Sequence, residues 1–121
     1  MRVELVKEFR FEAAHRLPHV PAGHKCSRVH GHSFRISVRV EGEVDSATGW
    51  LLDFGEISAR VEPLLRSELD HRLLNEVPGL ENPTSEMLCA WLWARLQPIV
   101  PRLSAVTVHE TCTAACTYRG D

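Results

Sequence analysis

His30-Gly31-His32 sets two imidazoles two residues apart, and on a strand that spacing puts both on one face. Their even parity is that of Phe34, Ile36 and Val38, so both rings are expected on the apolar side. His15 shares the odd parity of Phe9 and Phe11; if the first strand stays extended through Ala13, a third imidazole reaches the same side of the sheet. Three neutral nitrogen donors suit a borderline ion such as Zn2+, and three protein ligands with an open fourth position mark a catalytic zinc rather than a structural one. Two plainer arrangements compete: three unrelated loop or core histidines, or Cys26 as a fourth ligand closing the site. Cys26, between Lys25 and Ser27 in a polar segment, reads better as a free thiol, reactive once a base or a metal's positive field draws off its proton. Asp70-His71, at the end of a helical pattern, is a candidate general base, though such a pair also occurs as solvated helix-end charge. Glu110 has the parity of Val106 and Val108, so it either sits on the face expected to be buried, where its carboxylate needs hydrogen-bond donors such as the edge of a guanidine-like ring, or lies past the strand end in water.

The elements that must position these groups follow from hydrophobic period. Val3, Leu5, Phe9 and Phe11 alternate with mostly charged residues and predict a half-buried strand. A loop containing Pro18, Pro21 and Gly23 leads to the cleanest strand pattern, with Phe34, Ile36, Val38 and Val40 on one face. From Asp53, a plausible N-cap, Ile57, Val61, Leu64, Leu65 and Leu69 keep helical spacing, and Pro63 is expected to bend or interrupt that helix. A second helix fits residues 84 to 97, opening on Asn82-Pro83-Thr84-Ser85 and stopped by Pro98 and Pro101. Alternation returns at Val106 and Val108, and a short strand near Cys116 to Tyr118 can pair back. Strand, strand, helix, helix, strand, strand makes an α+β fold: a four-stranded antiparallel sheet with two helices on one face.

Bulk properties narrow the class. At 121 residues, 44% apolar and 25% charged, the chain reads as a single globular domain spanning 1–121, small enough that self-association would add useful burial. Its net charge of −2 supplies no field for a nucleic-acid backbone, and no apolar run approaches the roughly 18 residues of a membrane span. A cytoplasmic protein with reduced cysteines is expected. Cys26, Cys89, Cys112 and Cys116 form no C-x-x-C pair, and Cys89 lies among apolar residues as a core thiol would.

Nearly end to end, the sequence resembles the 6-pyruvoyltetrahydropterin synthase family, and within it the bacterial branch that makes 6-carboxytetrahydropterin in queuosine biosynthesis. The resemblance is carried by FEAAHRLPHVPAGHKC, the C-x3-H-G-H run from Cys26 to His32, GEVDSATGWLLDF, LDHRLLNEVPGLENPTSE and SAVTVHETCTAACTYRG. The animal-type enzymes carry a longer insert between the cysteine and HGH, and another branch replaces the cysteine with glutamate; this chain has neither departure. The resemblance implies zinc ligands at His15, His30 and His32, a catalytic Cys26, a proton relay at Asp70 and His71, and a pterin anchor at Glu110 helped by Thr84 and Ser85. It implies a tunnel fold (T-fold), ββααββ, oligomerising into a barrel as a trimer-based homo-oligomer, a hexamer, with active sites between subunits, so that Cys26 and His71 can come from different chains. The implied reaction turns 7,8-dihydroneopterin triphosphate into 6-carboxy-5,6,7,8-tetrahydropterin, acetaldehyde and triphosphate. A sister activity, 6-pyruvoyltetrahydropterin synthesis without carbon–carbon cleavage, and a non-catalytic zinc-stabilised module that binds pterin are the alternatives. Lys25, Arg28, Arg16 and Arg35 are candidates for the triphosphate, and equally ordinary surface charge.

Overall fold

A computed structural model describes residues 1–121. Strands β1 (Arg2–His15) and β2 (His30–Glu43) form one long antiparallel hairpin, in register from Arg2↔Glu43 to His15↔His30. The alternation read from β1 persists to its end: Phe9, Phe11, Ala13 and His15 are all buried while Glu8, Arg10 and Glu12 are exposed. Helix α1 (Phe54–Glu68) follows, then a two-residue strand β3 (Arg72–Leu73), helix α2 (Ser85–Leu96), β4 (Leu103–His109) and β5 (Ala115–Tyr118). The sheet order is β3-β1-β2-β4-β5. The four expected strands are therefore joined by a fifth, β3, which runs parallel to β1 through Ala13↔Arg72 and Ala14↔Leu73.

Both helices pack on one sheet face. Ile57, Val61, Leu64 and Leu65 of α1 and Leu88, Cys89, Leu92 and Leu96 of α2 form a single core cluster with Phe9, Phe11, Phe34, Ile36, Val38, Val106 and Val108. Each such side chain contributes about 1.5–3 kcal/mol by leaving water, which is what holds the sheet under its helices. Asp53 caps α1 as expected, its side chain accepting from the Gly55 amide at 2.9 Å. Pro63 does not interrupt α1: the helix runs through it, because Pro63 and Ala59, whose carbonyl loses its partner, both lie on the exposed face where water satisfies that oxygen.

The opposite sheet face carries no helix. Exposed cross-strand pairs decorate it, Arg35–Glu8 and Arg39–Glu4 at 2.9 Å and Arg2–Glu41 at 3.1 Å, each worth at most about 1 kcal/mol. Ser37 and Thr107 are nevertheless buried there, Ser37 bonded to the His109 ring at 3.0 Å and Thr107 to the Thr117 hydroxyl at 2.7 Å.

Candidate functional site

The direct pairing of His15 with His30, and of Ala13 with His32, places all three imidazoles at one end of the hairpin on its helix-covered side. The ring centroids stand 4.6 Å (His15–His30), 5.0 Å (His15–His32) and 4.8 Å (His30–His32) apart, a nearly equilateral triangle. Their nitrogen donors all lie within 4.8 Å of one another, close enough for one ion.

The backbone sets which nitrogen faces inward. His15 Nδ1 lies 2.9 Å from the Pro83 carbonyl and His30 Nδ1 2.7 Å from the Arg28 carbonyl. A carbonyl only accepts, so both Nδ1 atoms carry the proton and both Nε2 atoms present a lone pair, the arrangement that orients metal-binding histidines. His15 Nε2 and His32 Nε2 are buried and have no hydrogen-bond partner. Facing them is another acceptor: Glu110 Oε1 stands 3.5 Å from His15 Nε2 and 3.8 Å from His32 Nε2. Converging lone pairs and a carboxylate call for a cation between them, and the donor set fits a divalent ion. Burial lowers the pKa of His15 and His32; the neighbouring His30 pushes the same way, while Glu110 opposes it in both and the Pro83 carbonyl in His15. Neutral, ligand-ready imidazoles result.

Glu110 follows directly on β4, continuing the inward parity, and its Oε2 accepts from the Ser85 hydroxyl at 2.8 Å. Thr84, the N-cap of α2, accepts from the Met87 amide at 3.1 Å through Oγ1 and so builds the turn that carries Ser85. Cys26 is half-buried on a 3₁₀ turn, Lys25–Ser27, and lines a cavity of about 450 Å³ with Leu17, Lys25, His30, His32, Glu110 and Thr111. That volume lies within the usual range for small-molecule sites, about 300–1,000 Å³. Cys26 flanks the histidines and is not among the three convergent donors.

Asp70 and His71 bond to each other, Oδ2 to Nδ1 at 2.9 Å, so His71 turns a free Nε2 outward in the manner of an oriented acid/base. Asp70 Oδ1 accepts from the Glu12 amide at 2.9 Å, and that bond, then the one to His71, lowers its pKa below the ordinary carboxylate value. His71 itself has φ +59 and a side chain 79% exposed. It borders a groove at the sheet end with Glu12, Ala13, Gly31, Ser33 and His32, the last of which also lines the Cys26 cavity. One chain thus brings together His15, His30, His32, Cys26, Ser85 and Glu110, and leaves the Asp70–His71 pair outside the Cys26 cavity, in a groove that adjoins it at His32. Of the basic candidates only Lys25 lines the Cys26 cavity; Arg35 is tied to Glu8 on the opposite face. The carbonyls of Pro83 and Arg28 escape sequence reasoning because a backbone acceptor has no side-chain signature.

The sequence matches the family model described as 6-pyruvoyl tetrahydropterin synthase over residues 4–121. It is 48% identical over 119 residues to a 6-carboxy-5,6,7,8-tetrahydropterin synthase of Synechocystis sp., covering 94% of this chain and 91% of that protein. It is 28% identical over 135 residues to the 6-pyruvoyl tetrahydrobiopterin synthase of Homo sapiens, covering 99% and 93%. The fold superposes on the structure of Caenorhabditis elegans 6-pyruvoyl tetrahydropterin synthase with a TM-score of 0.90 at 27% identity, over 100% of this chain and 97% of the other.

Proposed function

The chain belongs to the 6-pyruvoyl tetrahydropterin synthase family, and we propose that it is a zinc enzyme converting 7,8-dihydroneopterin triphosphate, with one water, to 6-carboxy-5,6,7,8-tetrahydropterin, acetaldehyde and triphosphate. The observation that carries this reading is the convergence of three imidazoles, two with buried unpartnered Nε2 atoms, beside a half-buried thiol in one cavity. The 48% identity to a 6-carboxy enzyme, against 28% to a 6-pyruvoyl enzyme, favours the carboxy product.

His15, His30 and His32 would hold the zinc, which when bound supplies Lewis acidity for negative charge developing on the substrate's side-chain oxygens. The chain's own residues do the rest. Glu110 accepts hydrogen bonds from the 2-amino group and adjacent ring N–H of the pterin, with Ser85, on the turn built by Thr84, holding the carboxylate. Cys26, as thiolate, takes a proton from a side-chain carbon and returns it to another. His71, oriented by Asp70, exchanges protons with side-chain hydroxyls during carbon–carbon cleavage and triphosphate loss. His71 does not line the Cys26 cavity and its ring is exposed, which supports its serving the site of a neighbouring copy in a trimer-based homo-oligomer, a hexamer. All four cysteines are free, in keeping with a reducing cytoplasm, and the product enters the 7-deazaguanine (queuosine) branch of tRNA modification.

Incubation with dihydroneopterin triphosphate should yield acetaldehyde and triphosphate in equal amounts. Triphosphate without acetaldehyde would instead identify the 6-pyruvoyl activity. The variant Cys26→Ala should keep its metal and fold while turnover falls at least about a hundredfold, the scale of removing a positioned acid/base. Loss of metal in that variant would favour a stapled, non-catalytic module.

A further inference from the structure

Cys26 is held by a device that lies outside the histidine cluster. Its carbonyl accepts from the Leu17 amide at 2.7 Å, two residues beyond His15, and its own amide donates to Nδ1 of His24 at 3.0 Å. The His24 carbonyl in turn accepts from the Ser27 amide at 3.0 Å and the Ser27 hydroxyl at 2.7 Å. His24 therefore closes the Lys25–Ser27 turn twice, as its N-cap through the ring and as its first acceptor through the backbone. The ring bond requires a lone pair on Nδ1, hence a neutral imidazole with its proton on Nε2.

The usual N-cap side chains are Ser, Thr, Asp and Asn. Asp could accept the same amide, but it would set a negative charge two residues from a thiol whose reactive form is the thiolate. A neutral imidazole accepts the bond without that repulsion. The turn and its chemistry thus make compatible demands on position 24: an acceptor, and no charge.

We propose that His24 is a positioning residue for Cys26, fixing the 3₁₀ turn that aims the thiol into the cavity while adding no charge beside it. The proposal rests on Cys26 being the proton carrier, and its test separates the two. In His24→Ala, amide hydrogen exchange of the peptide spanning residues 25–28 should speed about fivefold, kcat should fall about five- to tenfold, and KM should hold within twofold, matching the loss of one cap. His24→Asn, which keeps a neutral acceptor, should restore both exchange and kcat to within about twofold of the parent. His24→Asp should restore exchange protection but require a higher pH for the same rate of Cys26 alkylation by iodoacetamide, followed on the Cys26 peptide by mass spectrometry. The proposal is overturned if His24→Ala exchanges and turns over like the parent, if His24→Asn falls as far as His24→Ala, or if His24→Asp alkylates at the parent's pH. Full turnover in Cys26→Ala would remove Cys26 as the proton carrier, and the exchange data would still judge the His24 cap by itself.

Discussion

Single atoms decide what the site can bind. Glu110 Oε1 sits 3.5 Å from His15 Nε2, so the carboxylate could be read as a fourth ligand rather than a pterin anchor. Glu110→Gln distinguishes them, because the amide keeps size and an acceptor oxygen but loses the charge that a cationic or amino-pyrimidine edge would seek. The expected result is a full zinc complement by metal analysis with KM raised at least tenfold; a zinc-free variant would reassign Glu110 to the metal. The same atoms make a prediction about acid. Burial lowers the folded pKa of His15 and His32 from the ordinary 6.5, so as pH falls through that value the unfolded chain takes up protons before the folded one. Metal-free protein should therefore lose stability from about pH 6.5 downward, as read by denaturant midpoints. Zinc affinity should hold to lower pH and then collapse as the folded rings protonate. The shared face of the three histidines was legible from parity once β1 stayed extended, because a strand's two-residue period admits no drift between Phe11 and His15 or between His32 and Phe34. The tautomers were not, because they depend on carbonyls of Pro83 and Arg28 that only the folded chain brings near.

At the scale of elements, the N-terminus of α2 is the part that joins the two halves of the site. Pro83, before the cap, holds His15 through its carbonyl, and Ser85, after it, holds Glu110 through its hydroxyl. Thr84 between them closes the turn on the Met87 amide, so its loss should be felt on both sides. Thr84→Ala is expected to cost about 1 kcal/mol of stability, the ordinary value of an N-cap, with KM rising several-fold, whereas Thr84→Ser should leave both near the parent. Thermal denaturation and steady-state kinetics on the three proteins check this; an unchanged KM in Thr84→Ala would show that Ser85 holds Glu110 without help from the cap. The second helix and its cap were visible in Asn82-Pro83-Thr84-Ser85, a local signal. Strand β3 was not: Arg72–Leu73 is too short for a periodic pattern and is a strand only because the Asp70 and His71 bonds to Glu12 lay it beside β1. Pro63 misled for the converse reason, since its cost depends on whether the carbonyl it orphans meets water, and that is a matter of which face it occupies.

For the whole molecule, the relay role proposed for Asp70 and His71 raises a question of assembly, since His71 does not line the cavity that holds Cys26 and each chain would then carry two half-sites. The cavity with Cys26 and Glu110 and the groove bordered by His71 are separate but adjoin at the sheet end, where His32 lines both. Along the outer edge of β1, only Ala13 and Ala14 have a partner strand, so most of a 14-residue strand ends the sheet with its ladder unfilled, as does β5 at the other end. Open edges of this kind are templates for pairing with another chain, and edge-to-edge pairing of copies around an axis would close a barrel and bring the two half-sites together. The arrangement has a numerical consequence. If Cys26 and His71 of each active site come from different subunits, then Cys26→Ala and His71→Ala proteins, each inactive alone, regain sites when unfolded together and reassembled at equal amounts. A site works only where a Cys26-bearing chain meets a His71-bearing neighbour, and random closed assembly gives that at about one site in four. Acetaldehyde production should therefore recover to about a quarter of the parent rate, while simple mixing of the preassembled variants should recover nothing. If both residues serve one chain's own site, no mixture of the two variants can contain a complete site, and the reassembled sample would stay as inactive as its parts.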